Sequence, residues 1–323
     1  MDFFVNSNLS QVTLSRYSTK LNEWLQYQPP QFNNMICLIC FPEISLQSLN
    51  THLKINTNTN KHNFIVALIA CIIHGNHILS QFSKEYIDSI HSKWSDILKE
   101  NDAPIVQRRL ENLPTDNQLN KGGSQLTFNH FITIRDKLPL GSIERLLIAM
   151  YTMIPPVRAD YFATQIIRGD EVPTQKNYIR ILENGQMIST LTDFKTKKTY
   201  KQITNELPSE LIIEINTSLD KYPRSFLFVN ISGKPFTRNS FTVWSRRILS
   251  KVFETDFTLV FFRHAFSTHY VTVNDISKIT DAQIKLISDK MGHSLEMFKA
   301  YRWVKDGNTD QIPLTEEEDD EKE

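Results

Sequence analysis

Four short segments carry side chains able to work on an anionic group. They are Pro155-Pro156-Val157-Arg158-Ala159-Asp160-Tyr161, Phe194-Lys195-Thr196, Phe262-Arg263-His264-Ala265-Phe266-Ser267-Thr268-His269, and Met291-Gly292-His293-Ser294 with Tyr301 eight residues after the histidine. A guanidinium is always charged and offers paired donors to an anion. An ammonium can hand over a proton, and a phenol can attack and stay bonded to what it attacked. Singly, each residue has a bland reading. Arg158 is then a surface arginine, and Lys195, Lys197, Lys198 and Lys201 are a solvated turn. His264 and His269 are structural, and Tyr301 is a half-buried aromatic.

The ordered set outweighs those readings. R-H-A-F-S-T-H, followed within 40 residues by M-G-H-S and a tyrosine, is the specific part. With Arg158 and Lys195 ahead of it, the chain resembles the tyrosine recombinases, also called phage-type integrases. Their order is Arg, Lys on a β-turn, an R-H-x-F-x-T-H helix, a G-H-S turn and Tyr. The Pro-Pro-x-Arg-x-Asp-Tyr form of the first segment is similar to the variant found in virophages, large DNA viruses and related eukaryotic mobile elements. The resemblance covers residues 126–305 well. Residues 8–113 match only in kind, as the helical core-binding domain that precedes the catalytic domain.

The resemblance implies a site-specific DNA recombinase, an integrase of a mobile or viral genome, built as a two-domain clamp on duplex DNA. It assigns Arg158 and Arg263 to the scissile phosphate, His293 to a non-bridging oxygen, Lys195 to protonation of the leaving 5′-oxygen, and Tyr301 to nucleophilic attack that leaves a 3′-phosphotyrosyl link. Lys197 and Lys198 rival Lys195. The implied working unit is a homotetramer on two DNA sites. Neither a metal nor another cofactor is called for, since the site is not a carboxylate cluster of the kind Mg²⁺ prefers. Candidates for DNA contact are Lys197, Lys198, Lys201, Arg238, Arg246, Arg247 and His264. The helix carrying the three arginines, around Phe241 and Trp244, either faces DNA or shows solvent a basic face with its aromatics in the core.

Two departures stand out. Three positions before the second arginine, where the family usually has His, this chain has Val260, which can neither give nor take a proton. Either the assisting group is absent, or His264 or a lysine replaces it. The His293–Tyr301 gap is one residue shorter than the commonest family spacing, and Tyr301 is the only tyrosine after Tyr270. Two other readings follow. One is a type IB topoisomerase, which shares the Arg-Lys-Arg-His-Tyr chemistry. The other is a DNA-binding protein that has lost catalysis.

These residues need helices and a small sheet to hold them. Leu14, Tyr17, Leu21, Trp24 and Leu25 recur at helical spacing, as do Ile87, Ile90, Trp94, Ile97 and Leu98, with Ser83 as N-cap. A compact apolar helix is expected over Phe64–Ile73 and a polar loop over Asn56–Asn60. Pro114 to Ser124 lacks periodicity and contains a Gly pair, so it reads as a linker. The division is therefore 1–113, a helical domain; 114–125, the linker; 126–305, the catalytic domain; and 306–323, an acidic tail. Beyond the linker, helical periodicity covers Phe128–Asp136 and Ile143–Met153. Tyr178–Thr204 then reads as three antiparallel strands turning at Asn184-Gly185 and at the lysines. Further helices are expected at 208–221, 237–253, 262–273, 280–291 and 295–303. The fold class is mainly α with a small antiparallel β-sheet, α+β.

Composition agrees with an ordered protein acting on an anion. The 323 residues are 40% hydrophobic and 22% charged, which excludes wholesale disorder. A net charge of zero hides a basic second half: residues 126–305 hold 25 basic and 17 acidic side chains, and 306–323 hold one against nine. The longest apolar run, Phe64–Ile73, is short of the roughly 20 residues a membrane span needs. With no secretory signal at Met1, an intracellular protein off the membrane is expected. Three cysteines exclude a disulfide scaffold, and all three, Cys37, Cys40 and Cys71, are expected to be buried thiols.

Overall fold

The computed structural model describes residues 2–5, 7–51, 57–121, 126–274 and 278–303. The chain divides into two compact units, Met1–Leu110 and Glu111–Glu323.

The first unit is helical, with α1 (Gln11–Leu25), α2 (Met35–Cys40), α3 (Pro42–Thr51), α4 (Asn58–His74), α5 (Asn76–Leu79) and α6 (Lys84–Leu110). The two periodic segments supply its core. Trp24 of α1 and Trp94 of α6 are fully buried and meet edge to face at 5.8 Å. Burial obliges each indole N–H to find an acceptor. Trp24 donates to the Ser45 carbonyl at 3.0 Å and Trp94 to the Ile39 carbonyl at 2.8 Å. Ser83 caps α6 by accepting from the Tyr86 amide. Two expectations need correction. Asn58–Asn60 form the first turn of α4 rather than a loop, because Thr57 caps that helix by accepting from the Asn60 amide; Asn56 lies outside the described residues. Only Cys71 is buried, since α2 is a short surface helix that leaves Cys37 and Cys40 half-exposed.

The second unit contains α7 (Asp116–Leu119), α8 (Phe128–Lys137), α9 (Ile143–Thr152), β1 (Gln165–Arg168), β2 (Asn177–Ile181), β3 (Met187–Leu191), α10 (Lys197–Tyr200), β4 (Ile203–Glu206), α11 (Ser209–Lys221), α12 (Arg238–Val252), α13 (Leu259–Val273), α14 (Asp281–Lys290) and α15 (Leu295–Tyr301). The hub is α9. Leu146 through Tyr151 are all fully buried, as expected of a helix apolar around its circumference. Beside it, the Phe131 ring lies 4.9–5.3 Å from those of Phe253, Phe257 and Phe262. This cluster fixes α13, which carries Arg263. A smaller cluster of Ile284, Met291 and Phe298 joins α14 to α15, which carries Tyr301.

The sheet differs from expectation. It has four strands in the order β1-β2-β3-β4, and β1 pairs parallel with β2, so the sheet is mixed rather than antiparallel. A strand of four residues is too short to show alternation, which is why the sequence hid β1. Only eight residues join β1 to β2, where a parallel crossover usually takes a dozen or more. The β2–β3 hairpin turns at Asn184-Gly185, with Gly185 at φ +82°. Between β3 and β4 the lysines form a short helix, α10, closed by Lys201 in the left-handed region at φ +56°, rather than a simple turn. Part of the segment expected as a bare linker is also helical, as α7; residues 122–125 lie outside the described residues. Among the described residues no helix is long and apolar enough to cross a membrane.

Candidate active site

Arg158 follows α9 on a loop that is tied down from several sides. Val157 and Tyr161 are fully buried, and the Tyr151 hydroxyl donates to the Arg158 carbonyl at 2.6 Å. Asp160 is buried; its carboxylate accepts from the Arg158 amide at 3.1 Å and from the Arg238 guanidinium. Asn177, at the start of β2, uses its whole amide to hold two loops. It donates to the carbonyls of Asp160 (2.8 Å) and Asp193 (3.0 Å) and accepts from the amides of Thr192 (2.9 Å) and Asp193 (2.8 Å). Thus the loop carrying Arg158 and the loop carrying Lys195 are joined through one buried side chain.

The Met291-Gly292 turn is where the other segments converge. Its Gly292 carbonyl accepts from Arg158 Nη1 at 3.3 Å and Thr196 Oγ1 at 2.7 Å. The Met291 carbonyl accepts from Arg263 Nη1 at 2.9 Å, and the same nitrogen donates to the Pro156 carbonyl at 2.8 Å. Glycine is required at 292. Its φ is +67°, and a Cβ there would stand 3.0 Å from Ile203 Cδ1 and 3.6 Å from Phe194 Cδ2.

Around this turn the structure gathers Arg158, Arg263, His293 and Tyr301. Arg263 is fully buried, and its Nε and Nη2 have no hydrogen-bond partner among the described residues. Its guanidinium carbon lies 4.9 Å from the centroid of the Tyr301 ring. Burial lowers its pKa. His293 is buried, its ring centroid 5.2 Å from that of Tyr301. His293 Nδ1 is 2.9 Å from the Ser294 carbonyl, which can only accept, so the proton sits on Nδ1. Nε2 is buried without a partner among the described residues and carries the lone pair. Burial and then the charge of Arg263 push the His293 pKa down to about 3. At Tyr301, burial pushes the phenol pKa up, but the charges of Arg263 and Arg158 prevail and it lies below the ordinary value.

Lys195 is placed differently. The buried Phe194 on one side and Thr196 on the Gly292 carbonyl on the other bring its backbone to the turn, while the side chain is exposed and makes no ion pair among the described residues. Of its rivals, Lys197 is paired with Asp193 at 2.6 Å; Lys198 and Lys201 are exposed. His264 is buried with both nitrogens taken, Nδ1 at 2.9 Å from the Tyr301 carbonyl and Nε2 at 3.2 Å from Gln118 Nε2. It therefore has no open nitrogen to offer for proton transfer, and Val260, which can carry no proton, is half-buried one turn before Arg263. His269 stacks on Phe128 at 5.0 Å.

On α12 the aromatics face inward: Phe241 is fully buried, and Trp244 packs on Phe228, Phe236 and Phe241 at 4.9–5.5 Å. The arginines are unequal. Arg238 is held by Asp160 and the Asp193 carbonyl, and Arg246 forms a two-point pair with Asp256 at 2.7 and 2.8 Å. Arg247 is exposed and without an ion pair among the described residues. Sequence reasoning passed over Asn177 and Gln118, whose partners lie 15–17 and 146 residues away and leave no local signal. Among the described residues no group of three or more His, Cys, Asp or Glu is arranged to hold a metal ion.

No protein-family model matches the chain, and no curated protein does. Among solved structures, the crystal structure of XerA recombinase is similar to it with 13% sequence identity and a TM-score of 0.39, over 91% of this chain and 95% of that one. At that TM-score the likeness carries no weight for activity.

Proposed function

We propose that the protein is a site-specific DNA recombinase that cuts and rejoins strands through a covalent link on Tyr301. One observation carries the reading: buried nitrogens of Arg263 and His293 that no carbonyl or carboxylate holds flank a phenol whose pKa is lowered. A buried cation with open donors is costly unless an anion completes it, and a phosphodiester has the charge and oxygens to do so.

The steps follow from these groups. A phosphodiester seats on Arg158 and Arg263, and the Tyr301 oxygen attacks phosphorus. The negative charge of the seated phosphodiester raises the proton affinity of His293 Nε2 from its resting pKa of about 3, so that this nitrogen takes the phenol proton and then donates to a non-bridging oxygen. The P–O5′ bond breaks, and the 5′-oxygen takes a proton from Lys195. For rejoining, a 5′-hydroxyl of a second duplex returns its proton to Lys195 and attacks phosphorus. The P–O(Tyr301) bond then breaks, and His293 reprotonates the phenol. Chain 1–113 and chain 126–305 clamp the duplex in this reading, and four copies act on two sites. The form of the Arg158 segment favours an integrase of a mobile or viral element.

Incubation with nicked duplexes that let the cut end diffuse away tests this. A denaturation-resistant protein–DNA band is expected from the wild type and not from Tyr301→Phe. Binding without a band would move the reading to a protein that binds DNA only, with Val260→His the first residue to restore. Relaxation of supercoiled plasmid without regard to sequence would favour a topoisomerase.

A further inference from the structure

The carbonyls at the end of α15 are held by side chains from the segment that leaves α6. The last carbonyls of a helix lack partners within it. Here Asn112, in a left-handed conformation at φ +54°, brings one end of its side-chain amide to 2.7 Å from the Lys299 carbonyl and 3.2 Å from the Arg302 carbonyl, and because a carbonyl only accepts, that end is assigned as the nitrogen. Six residues on, Gln118 Oε1 accepts from the amide (2.8 Å) and hydroxyl (2.9 Å) of Thr115. Those bonds fix which end of the Gln118 amide points away, and it is the nitrogen that meets His264 Nε2 at 3.2 Å.

The roles agree along this chain. A carbonyl only accepts, so His264 carries its proton on Nδ1 and donates to Tyr301 O at 2.9 Å. Nε2 is then the lone pair that receives the Gln118 N–H. Burial keeps the ring neutral, with a pKa of about 3. The His264 ring also stacks on Trp303 at 3.9 Å, and the Trp303 amide donates to Thr268 Oγ1 at 3.0 Å, so the chain just past Tyr301 is bound to α13 as well.

We infer that Asn112 and Gln118, near the start of the second unit, latch the turn bearing Tyr301, with His264 as the intermediary that sets where the phenol stands against Arg263. This rests on the reading of Tyr301 as nucleophile only for its catalytic consequence. Asn112, Gln118 and His264 are positioning residues, since none touches the reacting atoms.

The test reads position and chemistry separately in the full-length protein. Labelling tyrosine at the ring carbon that bears oxygen gives an NMR titration, with the Tyr301 signal assigned by its loss in Tyr301→Phe. Gln118→Ala, alone and with Asn112→Ala, is expected to move the Tyr301 titration up toward an ordinary phenol. It is also expected to slow single-turnover adduct formation by about ten- to a hundredfold, with DNA affinity within about twofold. His264→Asn, which retains a donor near the Nδ1 position, should recover most of the loss caused by His264→Leu. A drop in melting temperature with an unmoved Tyr301 titration would overturn the latch, as would an unchanged titration and rate in the double variant. A shifted titration with no adduct even from the wild type would uphold the latch while removing the recombinase reading.

Discussion

At Arg263 a guanidinium with no solvent exposure gives one nitrogen to two carbonyls and leaves the others facing the Tyr301 phenol. A lysine there would keep the charge but not the fork that reaches Pro156, Met291 and an anion together. Arg263→Lys should therefore lower the single-turnover rate of adduct formation by about 10²–10³-fold, in the range of a lost transition-state donor. An undiminished rate would remove Arg263 from the chemistry. The sequence marked these positions because arginine, histidine and tyrosine recur in a fixed order. It did not mark how they meet. The Met291 and Gly292 carbonyls accept from residues 28, 96 and 134 positions away, and backbone acceptors carry no sequence signature.

The elements explain what was legible and what was not. Helices with a buried stripe, α1, α6 and α8 among them, repeat apolar residues at three and four positions, and α11 to α15 fall within a few residues of their expected ends. The parallel strand β1 and the short helices α7 and α10 contain only four residues each, fewer than a period needs to declare itself. On α12 the three arginines looked alike in sequence and differ in partners, so their substitutions should separate. Arg247→Ala should weaken DNA binding and reduce the salt slope by about one unit, as for one lost phosphate contact. Arg238→Ala should instead strip the buried Asp160 of its cation and destabilise the fold by about 2–3 kcal/mol, read from a urea midpoint. Asn177→Asp is expected to act similarly, because a carboxylate would face the Asp160 and Asp193 carbonyls where an N–H₂ now donates. Equal effects of Arg247→Ala and Arg238→Ala on DNA affinity, with stability unchanged, would contradict this division.

Over the whole molecule, two buried neutral histidines couple folding to pH. His264 and His293 have pKa values of about 3 when folded and an ordinary value of 6.5. The unfolded chain therefore takes up protons first as pH falls. Their stabilisation is complete above pH 6.5 and declines below it by about 1.4 kcal/mol per pH unit for each histidine, on the way to pH 3. Chemical denaturation should show that slope as pH falls from 6.5 to 5 and little of it between 7.5 and 6.5; a flat profile throughout would mean that the rings are hydrated. The central claim is the bond to Tyr301. It is tested most directly by trapping the protein on a nicked duplex, digesting both components and identifying the modified peptide by mass spectrometry. A nucleotide attached through its 3′-phosphate to the fragment containing Tyr301 is the predicted result. A nucleotide on any other residue, or a cut strand with no protein attached, would contradict it.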